Sequence, residues 1–355
     1  MGQWAGLQEN RMTSSIKRVF FMANFKTSGP SVLRIDARHW CKGFVRNGLD
    51  VLPFSYRDVL EQQMRLPFRK LGRKRARAAT EKLLLNQIRI YRPDLIVVFG
   101  GKGFDANTIE KMRLAAPGVP IVGRDADAWP EGDPLRSEIA RSCDMMVVTN
   151  AGKWMEYYKS LDVKRVAFFP CPCDPDLHRL YPADPVLGAD VVFTGKATHK
   201  QGCDPDRETI VKRLMDMPNA RVYGAQGERR AEGVECFMAY SNAKIILSIN
   251  ADNSVPLYHS NRLFLVAASG SMVLAKRIPQ GELLFRDHEH LRYFDTPEEF
   301  FELLDYYLAH DEERETIAAA GMKHCHEEFN STRMAGLLLD LVQTGSYDAE
   351  WGKVL

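Results

Sequence analysis

Residues 93–101, PDLIVVFGG, decide the fold class. Pro93-Asp94 introduces a run, Leu95 to Phe99, that is apolar and β-branched at every position where an edge or half-exposed strand would alternate with polar residues. A strand with no polar face is covered on both sides, which points to a parallel sheet between layers of helices. It ends on Gly100-Gly101, where a ligand can approach the backbone closely. Upstream, residues 18–24 (RVFFMAN) read as a second such strand, followed by a Gly/Pro/Ser turn at 28–31, a helix over 32–46 that Gly48 closes, and a strand at 51–55. Downstream come a helix at 105–115, a strand at 120–123, a helix at 135–143 and a strand at 145–149. Strand and helix alternating in this way is the sequence form of a doubly wound parallel sheet.

Pro170, Pro172, Pro175, Pro182 and Pro185 interrupt the rhythm, and residues 166–185 read as the crossing into a second domain. There the pattern restarts with DVVFTG (190–195). A helix at 207–217, strands at 220–224 and 244–250 (KIILSIN), a helix at 260–268, a short strand at 272–275 and helices at 297–309 and 311–329 follow. Two α/β domains also suit the length: 355 residues exceed the roughly 100–200 that one ordinary core holds. The expected division is a lead-in at 1–17, a first domain at 18–175, a second at 186–330, and a helix within 331–355 returning to the first.

Apolar residues make up 45% of the chain and charged residues 26%, the balance of a globular protein. No apolar run approaches the roughly 18–20 residues that span a bilayer. Residues 1–17 are polar where a signal peptide needs an apolar stretch, so the expected location is cytoplasmic and the lead-in is expected to be disordered. Seven scattered cysteines (41, 143, 171, 173, 203, 236, 325) favour a reducing compartment over a disulfide framework. Cys171 and Cys173 near His178 have a C-x-C spacing that matches no common zinc module, and the adjacent His324, Cys325 and His326 point in different directions on a helix. Both groups read as structural, and no metal ligands are assigned.

The net charge is only +2, but residues 65–77 hold Arg65, Arg69, Lys70, Arg73, Lys74, Arg75 and Arg77 with no acid among them. Such a run on a helix is either a solvated face or a surface for an anionic partner.

The chemistry concentrates in residues 258–275, YHSNRLFLVAASGSMVLA. His259, Ser260, Asn261 and Arg262 stand at the start of a helix, where free N–H groups and the helix dipole favour an anion such as a diphosphate. A guanidinium at Arg262 adds a charge-assisted fork suited to phosphate oxygens. The helix runs out at Ser269-Gly270-Ser271, a permissive turn beside a strand end, where α/β sheets commonly bind ligands. There is no full G-x-G-x-x-G, P-loop or G-x-S-x-G, which removes the usual markers of dinucleotide oxidoreductases, P-loop NTPases and α/β-hydrolases.

SNRLFLVAASGSMVLA, followed by FDTPEEFFELLDYYLAHDEERETIAAAGMKHCHEEF, resembles the C-terminal half of CgeB-like glycosyltransferases, relatives of glycosyltransferase families 1 and 4. The likeness extends over residues 190–335 and is looser before them, where it rests on PDLIVVFGG, GRDADAWP and CDMMVVTN. It implies an α/β GT-B fold: two Rossmann-like doubly wound domains facing a central cleft, a nucleoside diphosphate sugar held mainly by the second, a hydroxyl acceptor held mainly by the first, and no obligatory metal or cofactor. Carried over by position, Arg262 and Ser260 would contact the donor phosphates. Gly195 and Lys196 would flank them, with Lys200 a weaker candidate, and Ser269, Gly270 and Ser271 would offer backbone amides. Those cations and amides would stabilise the charge that develops on the leaving diphosphate.

One position departs from the pattern. Relatives commonly carry R-x-F-E in this helix, with a carboxylate that holds the ribose hydroxyls, and here Leu265 replaces it. Ribose recognition comes from elsewhere, the donor is unusual, or catalysis has been lost and the chain is a nucleotide-sugar-binding or interaction module.

On the acceptor side, Asp125 and Asp127 in GRDADAWP sit where a carboxylate could take the acceptor hydroxyl proton, with Asp127 preferred by the resemblance. Equally, both could cap the following turn or pair with Arg124. His39 is a further base candidate, and Lys102 a weak candidate for lining the cleft. The basic run suggests an anionic acceptor such as modified DNA, a polysaccharide or a lipid-linked glycan.

Overall fold

A computed structural model describes residues 16–25, 36–65, 72–100, 103–126, 130–198, 203–225 and 227–355. The chain divides into two compact units: residues 1–148, 153–169 and 331–355 form the first, and 149–152 with 170–330 the second.

The first unit is built on six parallel strands, β1 (Arg18–Ala23), β2 (Asp50–Ser55), β3 (Leu95–Phe99), β4 (Ile121–Asp125), β5 (Met145–Val148) and β6 (Arg165–Phe168), in the order β2-β1-β3-β4-β5-β6. β3 pairs with β1 through Val97↔Phe21 and with β4 through Val97↔Val122, and all five of its residues are buried. That two-sided burial is why its sequence carries no alternation. The helices α1 (Asp36–Arg46), α2 (Tyr56–Met64), α3 (Arg73–Tyr91), α4 (Ala106–Ala115), α5 (Pro134–Arg141) and α6 (Lys153–Ser160) fill the connections. Two of them start where the sequence supplies a carboxylate cap: Asp105 accepts from Thr108 N at 3.1 Å for α4, and Asp133 from Leu135 N at 3.1 Å for α5.

β6 corrects the expectation that the crossing begins at residue 166, because RVAF still pairs with β5. Its outer edge is covered by residues 353–355, with Phe168 N donating to Lys353 O at 2.9 Å, so no open strand edge is presented there. The basic run 65–77, expected on a helix, does not lie on one helix throughout. α2 ends at Met64 and α3 begins at Arg73.

The helix α12 (Ser331–Thr344) packs against α1. Contact is close because residue 43 is glycine: a Cβ there would lie 2.0 Å from Ser331 O and 3.0 Å from Ala335 Cβ. Asn47 Nδ2 ties the pair further, donating to Thr332 O and to Gly43 O, both at 2.8 Å.

The second unit repeats the plan with β7 (Ala189–Thr194), α7 (Pro205–Met215), β8 (Ala220–Tyr223), α8 (Val234–Ser241), β9 (Ala243–Ser248), α9 (Asn261–Ala267), β10 (Met272–Lys276), β11 (Arg292–Phe294), α10 (Pro297–Ala309) and α11 (Asp311–Glu328). Its parallel sheet runs β11-β10-β9-β7-β8. Val191, Phe193, Ile245, Leu247, Met272 and Leu274 face one core with Ile210, Leu214, Phe300 and Leu304 from the helices. No helix among the described residues is long and apolar enough to cross a membrane.

In each sheet the strand order reverses direction once, between β1 and β3 in the first and between β7 and β9 in the second. Such switch points leave a crevice beyond the carboxyl ends of the strands, because the flanking connections leave to opposite faces. The residues of interest gather at these two places.

Candidate functional site

At the switch point of the second unit, β7 runs out into Gly195 and β9 into Ile249-Asn250. Gly195 has φ +144°, a region that side chains avoid, and a Cβ there would lie 2.8 Å from Arg262 Nη2 and 3.1 Å from Arg207 Nη2. Two guanidinium groups therefore close on one glycine. Each is fixed from behind: Arg262 Nη1 donates to Ile249 O at 3.0 Å, and Arg207 Nε to Lys196 O at 2.9 Å. Both also lie over the Phe193 ring, at 4.8 Å for Arg262 and 5.5 Å for Arg207. Burial pulls the Arg207 pKa below its ordinary value. A buried arginine still keeps its proton, and its charge in so dry a position invites an anion.

A polar chain holds the loop that delivers Arg262. Asn250 Oδ1 accepts from Ser260 N at 2.8 Å, Asn250 Nδ2 donates to Tyr258 O at 2.9 Å, and Asn253 Nδ2 reaches the α7 cap Asp204 at 2.7 Å. The ends of α7 and α9 are thereby tied together. At the start of α9, Ser260 Oγ, Asn261 Oδ1 and His259 Nε2 are buried with no hydrogen-bond partner among the described residues. Buried polar atoms left unmatched cost stability.

The sequence-based candidates fare unequally. Arg262 and Gly195 come together, and Ser260 lies beside them. Lys196 contributes its carbonyl to Arg207 while its side chain is exposed. His259 is a correction: it is 3% exposed, and burial drives its pKa down to about 3, so it is a neutral imidazole and brings no charge to a phosphate.

Ser269, Gly270 and Ser271 are a larger correction. α9 starts at the carboxyl edge of the sheet and ends at the opposite edge, where β10 begins. The turn between them is therefore remote from Gly195. There Ser269 Oγ donates to Leu265 O at 2.8 Å and Ser271 Oγ to Ala243 O at 2.7 Å. A Cβ on Gly270 would meet Leu180 Cδ2 at 2.6 Å. These small residues serve packing. Leu265 is buried in the same helix.

Arg207 escaped the sequence reading altogether. It sits in the first turn of α7, and its approach to Gly195 is a tertiary contact that no local motif announces. Lys200, Asp127, Lys102, Arg69 and Lys70 lie outside the described residues.

In the first unit, a cavity of about 270 Å³ opens beyond the carboxyl ends of β1, β3 and β4. Asp125 lines it but is already engaged: it accepts from Arg136 Nε at 2.6 Å and from the Tyr158 hydroxyl. Burial first, then the Asp125 charge, pushes the Tyr158 pKa well up, so the phenol stays protonated and donates. Arg124 does not pair with Asp125. It donates to Asp36 at 2.9 Å and packs over Trp40 and Phe99 at 5.1 and 5.3 Å. His39 is 1% exposed on the inner face of α1 and is not among the described residues lining the cavity.

The basic run is also partly spent. Arg65, Arg73, Lys74 and Arg75 are exposed, whereas Arg77 turns inward to Asp105 at 2.5 Å and Glu81 at 3.1 Å. Burial would raise the Glu81 pKa, but hydrogen bonds from Lys111 and Arg77 outweigh it and hold the carboxyl below its usual range. The two sets of cysteine and histidine neighbours make structural bonds: Cys173 Sγ to Cys325 O at 3.3 Å, and Asp174 N to His178 Nδ1 at 2.9 Å. Among the described residues no group of three or more His, Cys, Asp or Glu gathers as a metal site.

A family model described as glycosyl transferase-like matches residues 207–340, from Arg207 into α12. Over nearly its whole length the chain is similar in fold to several solved structures. An α-glucosyltransferase in complex with UDP and a 13-mer DNA containing a HMU base has 11% identity and a TM-score of 0.61, the match covering 93% of this chain and 100% of that one. HepE from Anabaena, in complex with UDP and glucose, has 12% identity and a TM-score of 0.59, with 93% and 100% covered. Sucrose-phosphate synthase from Thermosynechococcus elongatus also has 12% identity and a TM-score of 0.59, with 92% and 98% covered. No curated protein sequence matches the chain. The two parallel α/β units are those of the GT-B fold.

Proposed function

We propose that this chain is a glycosyltransferase that moves a sugar from a nucleoside diphosphate donor to a hydroxyl acceptor, with the donor diphosphate lying against Arg262, Arg207 and Gly195. The observation that carries the reading is the convergence of two fixed guanidinium groups on a glycine at the switch point of the second sheet. This arrangement suits a diphosphate. Its oxygens take charge-assisted hydrogen bonds from both cations, and the missing side chain of Gly195 lets them come close. As the bond from the anomeric carbon to the diphosphate breaks, negative charge grows on the leaving oxygen, and cations already in place stabilise it without reorganising. In this reading the protein's own cations do so without an obligatory metal or cofactor. α9 has only seven residues, so its dipole adds little beside two full charges.

The family match and the UDP-bound relatives support the same reading. With Leu265 in place of a carboxylate, the unmatched Asn261 Oδ1 and Ser260 Oγ are the acceptors proposed for the ribose hydroxyls. Asp127 remains the proposed base. Asp125, held by Arg136 and Tyr158, is instead a positioning residue. The exposed cations at Arg65, Arg73, Lys74 and Arg75 suit an acceptor carried on an anionic polymer.

The test is thermal unfolding with UDP, UDP-glucose and other nucleotide sugars, followed by an assay for released nucleotide. A ligand at 100 times its Kd adds ~2.7 kcal/mol of stability, which raises the transition by several degrees. If no nucleotide sugar shifts it, the donor site is wrong. Stabilisation without release under any acceptor would favour the alternative, a binding module that has lost catalysis. Retention on heparin or duplex DNA should fall steeply with salt and with Arg73, Lys74 and Arg75 replaced together by alanine.

A further inference from the structure

We propose that the cavity of the first unit takes a neutral flat ring that bears the acceptor hydroxyl, in chemical class an aromatic alcohol. The assignment of that hydroxyl as the sugar's destination rests on the transfer reading above. Size comes first. A dry cavity of about 150 Å³ holds benzene, so about 270 Å³ holds one substituted ring, or two fused, and is too small for an oligosaccharide.

The walls favour a ring. Tyr56, Phe99 and Phe104 supply aromatic faces and edges, with Leu135, Ile139 and Met146 completing an apolar lining. Tyr56 and Phe104 already stand edge to face with centroids 5.5 Å apart, and an inserted ring would extend that array.

The charges favour neutrality. Among the described residues, five charged side chains line the cavity, and each is matched within the unit. Arg57 pairs with Glu61 at 2.9 Å, Arg124 with Asp36 at 2.9 Å, and Arg136 Nε with Asp125 at 2.6 Å, while Asp133 caps α5. An anion entering here would have to break one of these pairs, which costs more than leaving it in water. The cluster of Asp125, Arg136 and Tyr158 gives the cavity a polar end, where the hydroxyl of the ring would lie.

The exposed cations of α3 do not contradict this. Arg77, one turn along, reaches Asp105 just past β3, so the start of α3 lies at the same edge of the sheet as the cavity. Negative charge on a larger acceptor is met there, outside, and the uncharged ring goes in.

Equilibrium dialysis of the full chain with 4-nitrobenzyl alcohol, 4-nitrobenzoate and glucose tests the proposal. Expected is saturable binding of the alcohol, one per chain, at least tenfold tighter than the benzoate and with glucose weaker still. Leu135→Trp, which fills the cavity from the half-exposed start of α5, should weaken the alcohol at least tenfold. Asp125→Asn removes the negative charge that faces Arg136 and Tyr158 and should shift the preference toward the benzoate.

A UDP-induced rise in melting temperature reports on the second unit, and an unchanged circular dichroism spectrum with a cooperative unfolding transition verifies that each variant is folded. Equal binding of alcohol and benzoate by the unaltered chain, or alcohol binding untouched by Leu135→Trp, would overturn the proposal. The two readings separate cleanly. Binding of the alcohol with no transfer to it would remove the transfer reading and leave the ring site. Transfer to saccharide acceptors at full rate by Leu135→Trp would remove the ring site and leave transfer.

Discussion

Replacing Arg262 by lysine keeps the charge beside Gly195 and removes the fork. In the structure that fork spends Nη1 on Ile249 O and directs Nη2 to within 2.8 Å of where a Cβ on Gly195 would stand. A charge-assisted hydrogen bond contributes about 1.5–3 kcal/mol, and lysine, a single point of positive charge, loses roughly one such bond to the diphosphate. At ~1.4 kcal/mol per tenfold, the Kd for UDP should rise by about 10- to 100-fold for Arg262→Lys and further for Arg262→Ala.

The unliganded protein should suffer less. It forfeits one carbonyl bond and the packing over Phe193, together ~1–2 kcal/mol. Titration calorimetry with UDP at fixed ionic strength separates the two effects. Arg213→Ala is the control, since Arg213 also stacks on a ring, Phe301 at 3.7 Å, but from the exposed side of α7. If Arg262→Ala binds UDP within threefold of the unaltered chain, the diphosphate does not lie where the reasoning puts it.

Gly195→Ala should cut UDP affinity at least tenfold, because its Cβ displaces both guanidinium groups and its φ of +144° strains any side chain; the same titration checks this. Gly43→Ala places a methyl group 2.0 Å from Ser331 O, where no side-chain rotation can relieve it, and should cost about 1–3 kcal/mol in denaturant unfolding. Glu81→Gln should cost ~1–2 kcal/mol at neutral pH, discounted because Lys111 and Arg77 are partly exposed. The folded Glu81 pKa is lowered from 4.5, so its contribution is full above that pH and is lost as pH falls through the lower folded value. The stability gap between Glu81→Gln and the unaltered chain should accordingly hold steady from neutral pH down to about 4.5 and close as the pH falls further, and a gap that stays constant throughout would show that the ion pairs are not its source.

The fold could be read from the sequence because its signal is local. Leu95 to Phe99 and Ile245 to Leu247 are buried on both faces, and a stretch so placed has little freedom to carry polar residues. β6, with the four residues RVAF, and β11, with three, are too short to show a period and were not legible. The site divides along the same line. Arg262 announced itself by standing at the head of a helix beside serine and asparagine. Arg207 did not, because nothing within α7 records that Gly195 lies above it.

The small-residue turn at Ser269 to Ser271 misled for a reason of direction. A helix joining two parallel strands must run back against them, so its two ends lie on opposite edges of the sheet. Only the first end can reach the site. The Asp125 pairing partner was equally invisible, since Arg136 and Arg124 are both near in sequence and only the strand's facing decides between them.

The grip of Gly43 and Asn47 on α12 has a bearing on how the chain is made. Ribosomes deliver residues in order, and the second unit holds every one of its contacts by the time residue 330 emerges. The first unit, started earlier, must wait for residues 331–355 to seat α12 on α1 and to seal β6. A stall before that point would therefore leave the older half of the molecule unfinished beside a younger half already complete, and chaperones would find their substrate at the beginning of the chain.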